Sequence, residues 1–217
     1  RVLLVELDPN VAAVWQILVE GNYEKLAKRI LSFEMNHENA KEALDRNPRS
    51  TDERAFQTIL RNRVSHGGIM APGAGLIKNG ENGKGINSRW YPETLAKRIM
   101  EIGTIRTKIS FIQGDAFDAI ADYLDDKNTA YFVDPPYTAG GKKAGRRLYS
   151  HHQLDHEKLF ETFSQAKGDV IFTYDDSNEL KDLAVKHGFQ SQLIPMKNTH
   201  HAEMSELIIG KSLEWLK

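Results

Sequence analysis

Val2-Leu3-Leu4-Val5 is a short apolar run closed by Glu6, Leu7, Asp8 and Pro9, a pattern that predicts a buried strand ending in acid. Pro9 and Asn10 then open a helical repeat through Val11, Val14, Trp15 and Leu18 that stops near Gly21, so the first elements form a β-α unit. Helices are predicted next over Tyr23 to Phe33, His37 to Asp45 and Asp52 to Arg63, with Asn47-Pro48 ending the second and Ser50-Thr51 opening the third. From Val64 to Pro92 the chain is glycine-rich and lacks periodicity, with Lys78, Lys84, Arg89, Trp90 and Tyr91 scattered through it; this reads as a long loop or irregular hairpin. Helical spacing returns from Pro92 to Ile102, and Lys108 to Gln113 reads as a strand. The remainder alternates: helix at Ala116 to Tyr123, strand at Ala130 to Val133, helix at Leu154 to Ala166, strand at Asp169 to Tyr174, helix at Ser177 to His187. Strands near Gln190 to Pro195 and Met204 to Ile209 complete it. Such alternation predicts an α/β fold with a mostly parallel sheet and right-handed crossovers. The helical and loop stretch 34–104 is an insertion in this scheme, within a core formed by 1–33 and 105–217.

Three predicted strands end in an acid at the switch to the next element: Glu6, Asp115 and Asp134. Each taken singly reads more readily as a helix cap. Together they mark the edge where open α/β sheets expose ligands. Glu6 stands where a Rossmann-like sheet accepts hydrogen bonds from a ribose diol. Asp115, in Gly114-Asp115-Ala116-Phe117, is able to accept from an adenine amino group while Phe117 packs on the ring. Asp134 begins the tetrapeptide Asp134-Pro135-Pro136-Tyr137. Two prolines fix φ and remove two N–H donors, which leaves a stiff turn rich in carbonyls. A carboxylate, a carbonyl and the Tyr137 ring together suit a planar base that presents an exocyclic amino group. The plainer reading of the tetrapeptide is a strand end followed by a capping acid and a core tyrosine.

Composition narrows the chemistry. The 217 residues are 40% hydrophobic and 27% charged, an ordinary globular balance, and no apolar run reaches the ~18 residues that cross a bilayer; a cytoplasmic protein is expected. The chain has no cysteine, which excludes disulfides, thiolate-ligated zinc and attack on a ring carbon through a Cys nucleophile. Lys plus Arg (29) and Asp plus Glu (30) nearly cancel to a net charge of -1, so a polyanion partner must be met by a local patch. Lys142, Lys143, Arg146 and Arg147, set among glycines just after the tetrapeptide, offer one. A metal hydrolase built on His151, His152, His156, His200, His201 and Glu203 is disfavoured by the absence of a helical ligand spacing, and no metal site is assigned.

These residues resemble the Dam-type S-adenosylmethionine-dependent DNA adenine (N6) methyltransferases over nearly the whole chain. Asp134-Pro135-Pro136-Tyr137 is similar to the family's catalytic motif, and Val5-Glu6-Leu7-Asp8 to the motif whose acid binds the cofactor ribose. Gly114-Asp115-Ala116-Phe117 resembles the motif that contacts the cofactor adenine. Asn62-Arg63 and the loop after it are similar to the point where the helical target-recognition insertion turns toward DNA. The segments Leu148-Tyr149 with Asp155-His156-Glu157, and Met204 to Gly210, resemble later parts of the family pattern. The resemblance implies a Rossmann-like methyltransferase mixed sheet with helices on both faces plus a helical insertion. It implies catalytic Asp134, Pro135, Pro136 and Tyr137, and S-adenosyl-L-methionine held by Glu6, Leu7, Asp115, Ala116, Phe117 and Asp134. DNA is the implied partner, with a cognate restriction enzyme as a further one. One family motif is not found: a Phe-x-Gly-x-Gly loop, expected upstream of Val2, for which Pro72-Gly73-Ala74-Gly75 is no substitute because it follows no strand and opens no helix.

DNA contacts are expected from Arg61, Arg63 and Arg89 in the insertion and from Lys142, Lys143, Arg146 and Arg147. Other readings remain open at this point: transfer to the N4 amino group of cytosine, transfer to an amino group in RNA or protein, and a non-catalytic nucleic-acid-binding fragment.

Overall fold

The computed structural model describes residues 1–70, 74–80, 83–135, 154–197 and 203–216. Two compact units divide the chain, Arg1–Ala119 and Ile120–Lys217. Its strands form two sheets, one in each unit.

In the first unit, β1 (Val2–Glu6) pairs in parallel with β2 (Ile109–Gln113), in a register running from Val2 opposite Ile109 to Glu6 opposite Gln113. Parallel neighbours need a crossover of a dozen or more residues, and five helices supply it: α1 (Pro9–Val19), α2 (Tyr23–Ser32), α3 (His37–Asp45), α4 (Thr51–Val64) and α5 (Pro92–Ile105). The start of each of the first four is written locally. Asp8, Asn22, Asn36 and Ser50 each accept a hydrogen bond from a backbone N–H in the first turn that follows, satisfying donors the helix itself leaves open. α1 and α5 also carry proline in the first turn, Pro9 and Pro92, where a missing N–H costs nothing. These helices share one apolar core in which Ile17, Leu26, Ile30, Phe56, Leu60, Trp90 and Ile99 are buried. Phe33 meets Phe56 and Trp90 edge-on at 5.2 and 5.8 Å. The predicted insertion therefore packs with α1 around a common centre.

The stretch read as a long loop or irregular hairpin contains short ordered pieces among the described residues. After α4, the described residues include a 3-10 turn at His66–Gly68, an antiparallel bridge between Ser65 and Leu76, and a 3-10 turn at Gly85–Arg89. Gly67, Gly68, Gly80, Gly83 and Gly85 all take positive φ, which explains why this part of the sequence needs so many glycines. After β2, the predicted helix over Ala116 to Tyr123 is α6 (Ala116–Ile120) continued by a 3-10 turn at Ala121–Tyr123.

The second unit is a four-stranded sheet in the order β3-β4-β6-β5, formed by β3 (Ala130–Val133), β4 (Asp169–Asp175), β5 (Gln190–Lys197) and β6 (Glu203–Gly210). β3 and β4 run parallel, while β6 is antiparallel to both β4 and β5. The sheet is mixed, as the resemblance implies, where alternation alone suggests a mostly parallel one: only five residues separate β5 from β6, and so short a link permits only antiparallel pairing. Between the strands lie α7 (His156–Ser164) and α8 (Asn178–Lys186). The core is aromatic: Phe160 stacks on Phe172 with ring centres 4.9 Å apart, and Phe189 and Phe163 meet Phe172 edge-on. Among the described residues, no helix is long and apolar enough to cross a membrane.

Candidate functional site

Register brings two of the three strand-end acids together. Glu6 is the last residue of β1 and lies opposite Gln113, the last of β2, and Asp115 follows two residues later. The Gly114 N–H donates to the Glu6 carbonyl at 3.0 Å, so the parallel ladder continues to this edge. Glu6 is half-buried, and its Oε1 accepts the Asp8 N–H at 2.8 Å. Asp8 in turn accepts the Asn10 N–H at 2.8 Å and caps α1. Asp115 is exposed, and its Oδ1 accepts the Phe117 N–H at 2.8 Å. Asp115 is therefore a helix cap in fact, and the capping bond occupies one lone pair of a carboxylate that has about four. Leu7 is 48% exposed, Ala116 is exposed and Phe117 is half-buried in the first turn of α6. Two acceptor side chains, an apolar side chain and an aromatic ring thus share the C-terminal edge of the β1-β2 sheet. The groove lined by Val19, Glu20, Arg106, Thr107 and Ile109 to Phe111 lies at the other, N-terminal end of β2.

Asp134 is set up by the second unit alone. Val133 pairs with Phe172 in the parallel β3-β4 ladder, so the next residue on each strand, Asp134 and Thr173, come side by side. The Thr173 hydroxyl donates to Asp134 Oδ1 at 2.8 Å. Thr173 is 8% exposed and Pro135 is buried, whereas Asp134 is exposed. A buried donor on a rigid strand holds an exposed carboxylate in one orientation. The neighbouring strand residue, Tyr174, is fully buried and its hydroxyl lies 3.0 Å from His156 Nδ1 at the first turn of α7. Burial pushes the His156 imidazole below its ordinary pKa, against the opposing pull of Glu179 and Asp155.

Thr173 is the participant that sequence reading missed. Nothing in Phe172-Thr173-Tyr174 marks it out; only the β3-β4 register identifies it, and register is a tertiary fact. Pro136, Tyr137, Lys142, Lys143, Arg146 and Arg147 lie outside the described residues, as do His151, His152, His200 and His201. Among the described residues no group of three or more His, Asp or Glu is arranged to hold a metal ion.

The expected DNA-contacting arginines fall in the first unit. Arg61 and Arg63 occupy the last turn of α4, and Arg89 ends the 3-10 turn before α5. Arg89 folds back toward α4, its guanidinium reaching within 2.9 Å of the point where a Gly68 Cβ would stand. Arg63 and Arg89 are both half-buried. Burial lowers the Arg63 pKa, and the charges of Arg89 and of Arg98, which sequence reading did not single out, lower it further.

No protein-family model matches the chain. No curated protein matches it. Thirty solved chains do, among them one described as a "putative RNA methyltransferase PH1948 from Pyrococcus horikoshii", at 14% identity over 87% of this chain and 96% of that one, with a TM-score of 0.29. A likeness at that level identifies no family.

Proposed function

We propose that this chain is an S-adenosylmethionine-dependent methyltransferase that modifies the exocyclic amino group of adenine in DNA. The observation that carries the reading is the Asp134 carboxylate, exposed at the C-terminal end of β3 and held there through Oδ1 by the buried Thr173 hydroxyl. Asp134 also opens the Asp-Pro-Pro-Tyr tetrapeptide.

The chemistry needs such an acceptor. The lone pair of an adenine amino nitrogen is delocalised into the ring and must be localised before it attacks. An Asp134 carboxylate and a Pro135 carbonyl that both accept from the amino group draw the nitrogen toward tetrahedral geometry. They also stabilise the positive charge that develops on it. Tyr137 stacks on the base, which has to leave the duplex because its amino group is paired there; flipping costs a few kcal/mol. Orientation replaces covalent catalysis, in keeping with a chain that has no cysteine.

The edge carrying Glu6 and Asp115 fits the cofactor's nucleoside. Glu6 has acceptor oxygens for ribose hydroxyls, Asp115 for an adenine amino group, and Phe117 and Leu7 give apolar surface beside them. When bound, S-adenosylmethionine supplies a methyl group already activated on a sulfonium.

The Asp134→Ala variant tests this reading. Transfer of labelled methyl groups to unmethylated DNA is expected to fall by roughly the 10²–10³-fold seen when a preorganised charge-stabilising group is removed. Cofactor affinity, measured by calorimetry, is expected to be largely spared, because five of the six residues assigned to the cofactor, Glu6, Leu7, Asp115, Ala116 and Phe117, are left intact. Near wild-type transfer by that variant would refute the role assigned to Asp134.

A further inference from the structure

Two consecutive residues of β4 hold side chains from two different segments. Successive strand residues point to opposite faces. On one face the Thr173 hydroxyl donates to Asp134 Oδ1 at 2.8 Å, and on the other the Tyr174 hydroxyl lies 3.0 Å from His156 Nδ1 in the first turn of α7. Tyr174 is fully buried, and a buried phenol O–H requires an acceptor. The imidazole supplies one at Nδ1 when its proton is on Nε2, and burial, which lowers its pKa, favours that neutral form. Packing keeps the pair together: the rings of His156 and Tyr174 meet edge-on at 5.6 Å, and Phe160 of the same helix stacks on Phe172 and Tyr174 at 4.9 and 6.2 Å. The β3-β4 ladder ends at Val133 opposite Phe172, one residue short of Asp134 and Thr173, and Pro135, lacking an N–H, cannot extend it. On its other side β4 is paired with β6 as far as Asp175. Past Val133, then, ladder bonds from β3 no longer set where Thr173 stands, and the side chain next to it in the strand is anchored to α7.

We propose that His156 and Tyr174 are positioning residues for methyl transfer: their bond fixes the end of β4 so that the Thr173 hydroxyl holds the Asp134 carboxylate in one orientation. The assignment rests on the reading of Asp134 as the acceptor for the target amino group. Both residues act through Thr173, and neither touches the reacting atoms. A bond that served the core alone would stabilise the fold and leave the turnover of folded protein unchanged. Coupling makes a sharper demand: once Thr173 has lost its hydroxyl, loss of the Tyr174 hydroxyl has nothing further to remove.

The test is a double-mutant cycle on the full chain, reading kcat for transfer of labelled methyl groups to unmethylated DNA together with amide hydrogen exchange in β4. Tyr174→Phe, which keeps the ring, is expected to lower kcat about tenfold while the cofactor KM holds. His156→Leu does the same, and His156→Asn, whose amide oxygen stands near the place of Nδ1, recovers most of the loss. Tyr174→Phe added to Thr173→Val lowers kcat by less than about twofold beyond Thr173→Val alone. In Tyr174→Phe the Thr173 amide exchanges about tenfold faster, while that of Leu60 in α4 does not change. Losses in kcat that multiply in the double variant, or a folded Tyr174→Phe with wild-type kcat, overturn the proposal. So does a His156→Asn as impaired as His156→Leu. Should Tyr174→Phe fail to fold, His156→Leu takes its place in the cycle. A wild-type chain that transfers no methyl group to DNA, with the exchange response of Thr173 present, would instead sink the methyltransferase reading and leave the hold of Tyr174 and His156 on Thr173 standing.

Discussion

Thr173 shows how much one hydroxyl decides. It lies in a strand, is buried, and donates to a carboxylate on the neighbouring strand. Replacing it with valine keeps the shape and removes the donor. A hydrogen bond to a charged group contributes about 1.5–3 kcal/mol, so if that orientation is used in catalysis, Thr173→Val lowers the methyl-transfer rate by roughly 10- to 100-fold. The KM for the cofactor is expected to hold. An unchanged rate would mean that Asp134 needs no such support.

His156 makes a different statement at the same scale. Its pKa is lowered from 6.5 in the folded chain, burial being the main cause. The unfolded chain therefore binds a proton at a pH where the folded chain does not, so stability is fully present above the unfolded value and declines as pH falls through it toward the folded value. Urea titrations at pH 7.5 and pH 5.5 are expected to show a smaller acid loss for His156→Gln than for wild type. Equal losses would remove His156 as the source.

At the scale of elements, much was legible before any coordinates. Asp8, Asn22, Asn36 and Ser50 start helices because their side chains are the right length to reach a backbone N–H two or three residues on, and that is a local property. β1, β3 and β4 were legible as apolar runs for the same reason. Within the segment 64–92 the individual pieces were not, since the bridge and 3-10 turns among its described residues carry no period to detect. The direction of β6 depends on what precedes it, and Thr173 and Arg98 depend on register and on packing between distant segments.

Close approach of helices is also invisible in sequence. A Cβ on Gly103 of α5 would stand 2.2 Å from the Tyr23 ring of α2. Overpacking of this kind costs about 1–3 kcal/mol, so Gly103→Ala is expected to lower the urea midpoint accordingly, and to leave DNA binding by the folded fraction unchanged. A midpoint equal to wild type would show that the Tyr23 ring moves aside freely.

At the scale of the whole molecule, the three strand-end acids fall in both units. Glu6 and Asp115 lie in the first, and Asp134, on its threonine-backed strand end, lies in the second. The three acids were found in sequence because each follows an apolar run, and two of them share a sheet edge because β1 and β2 are neighbours.

The most direct measurement is the identity of the modified nucleoside. Unmethylated duplex DNA is incubated with the chain and S-adenosylmethionine labelled in its methyl group, digested to nucleosides and separated. The expected result is label in N6-methyldeoxyadenosine alone, reduced roughly 10²- to 10³-fold when Asp134 is alanine. Label in N4-methyldeoxycytidine, or labelling of DNA at a near wild-type rate by the Asp134→Ala variant, would contradict the account.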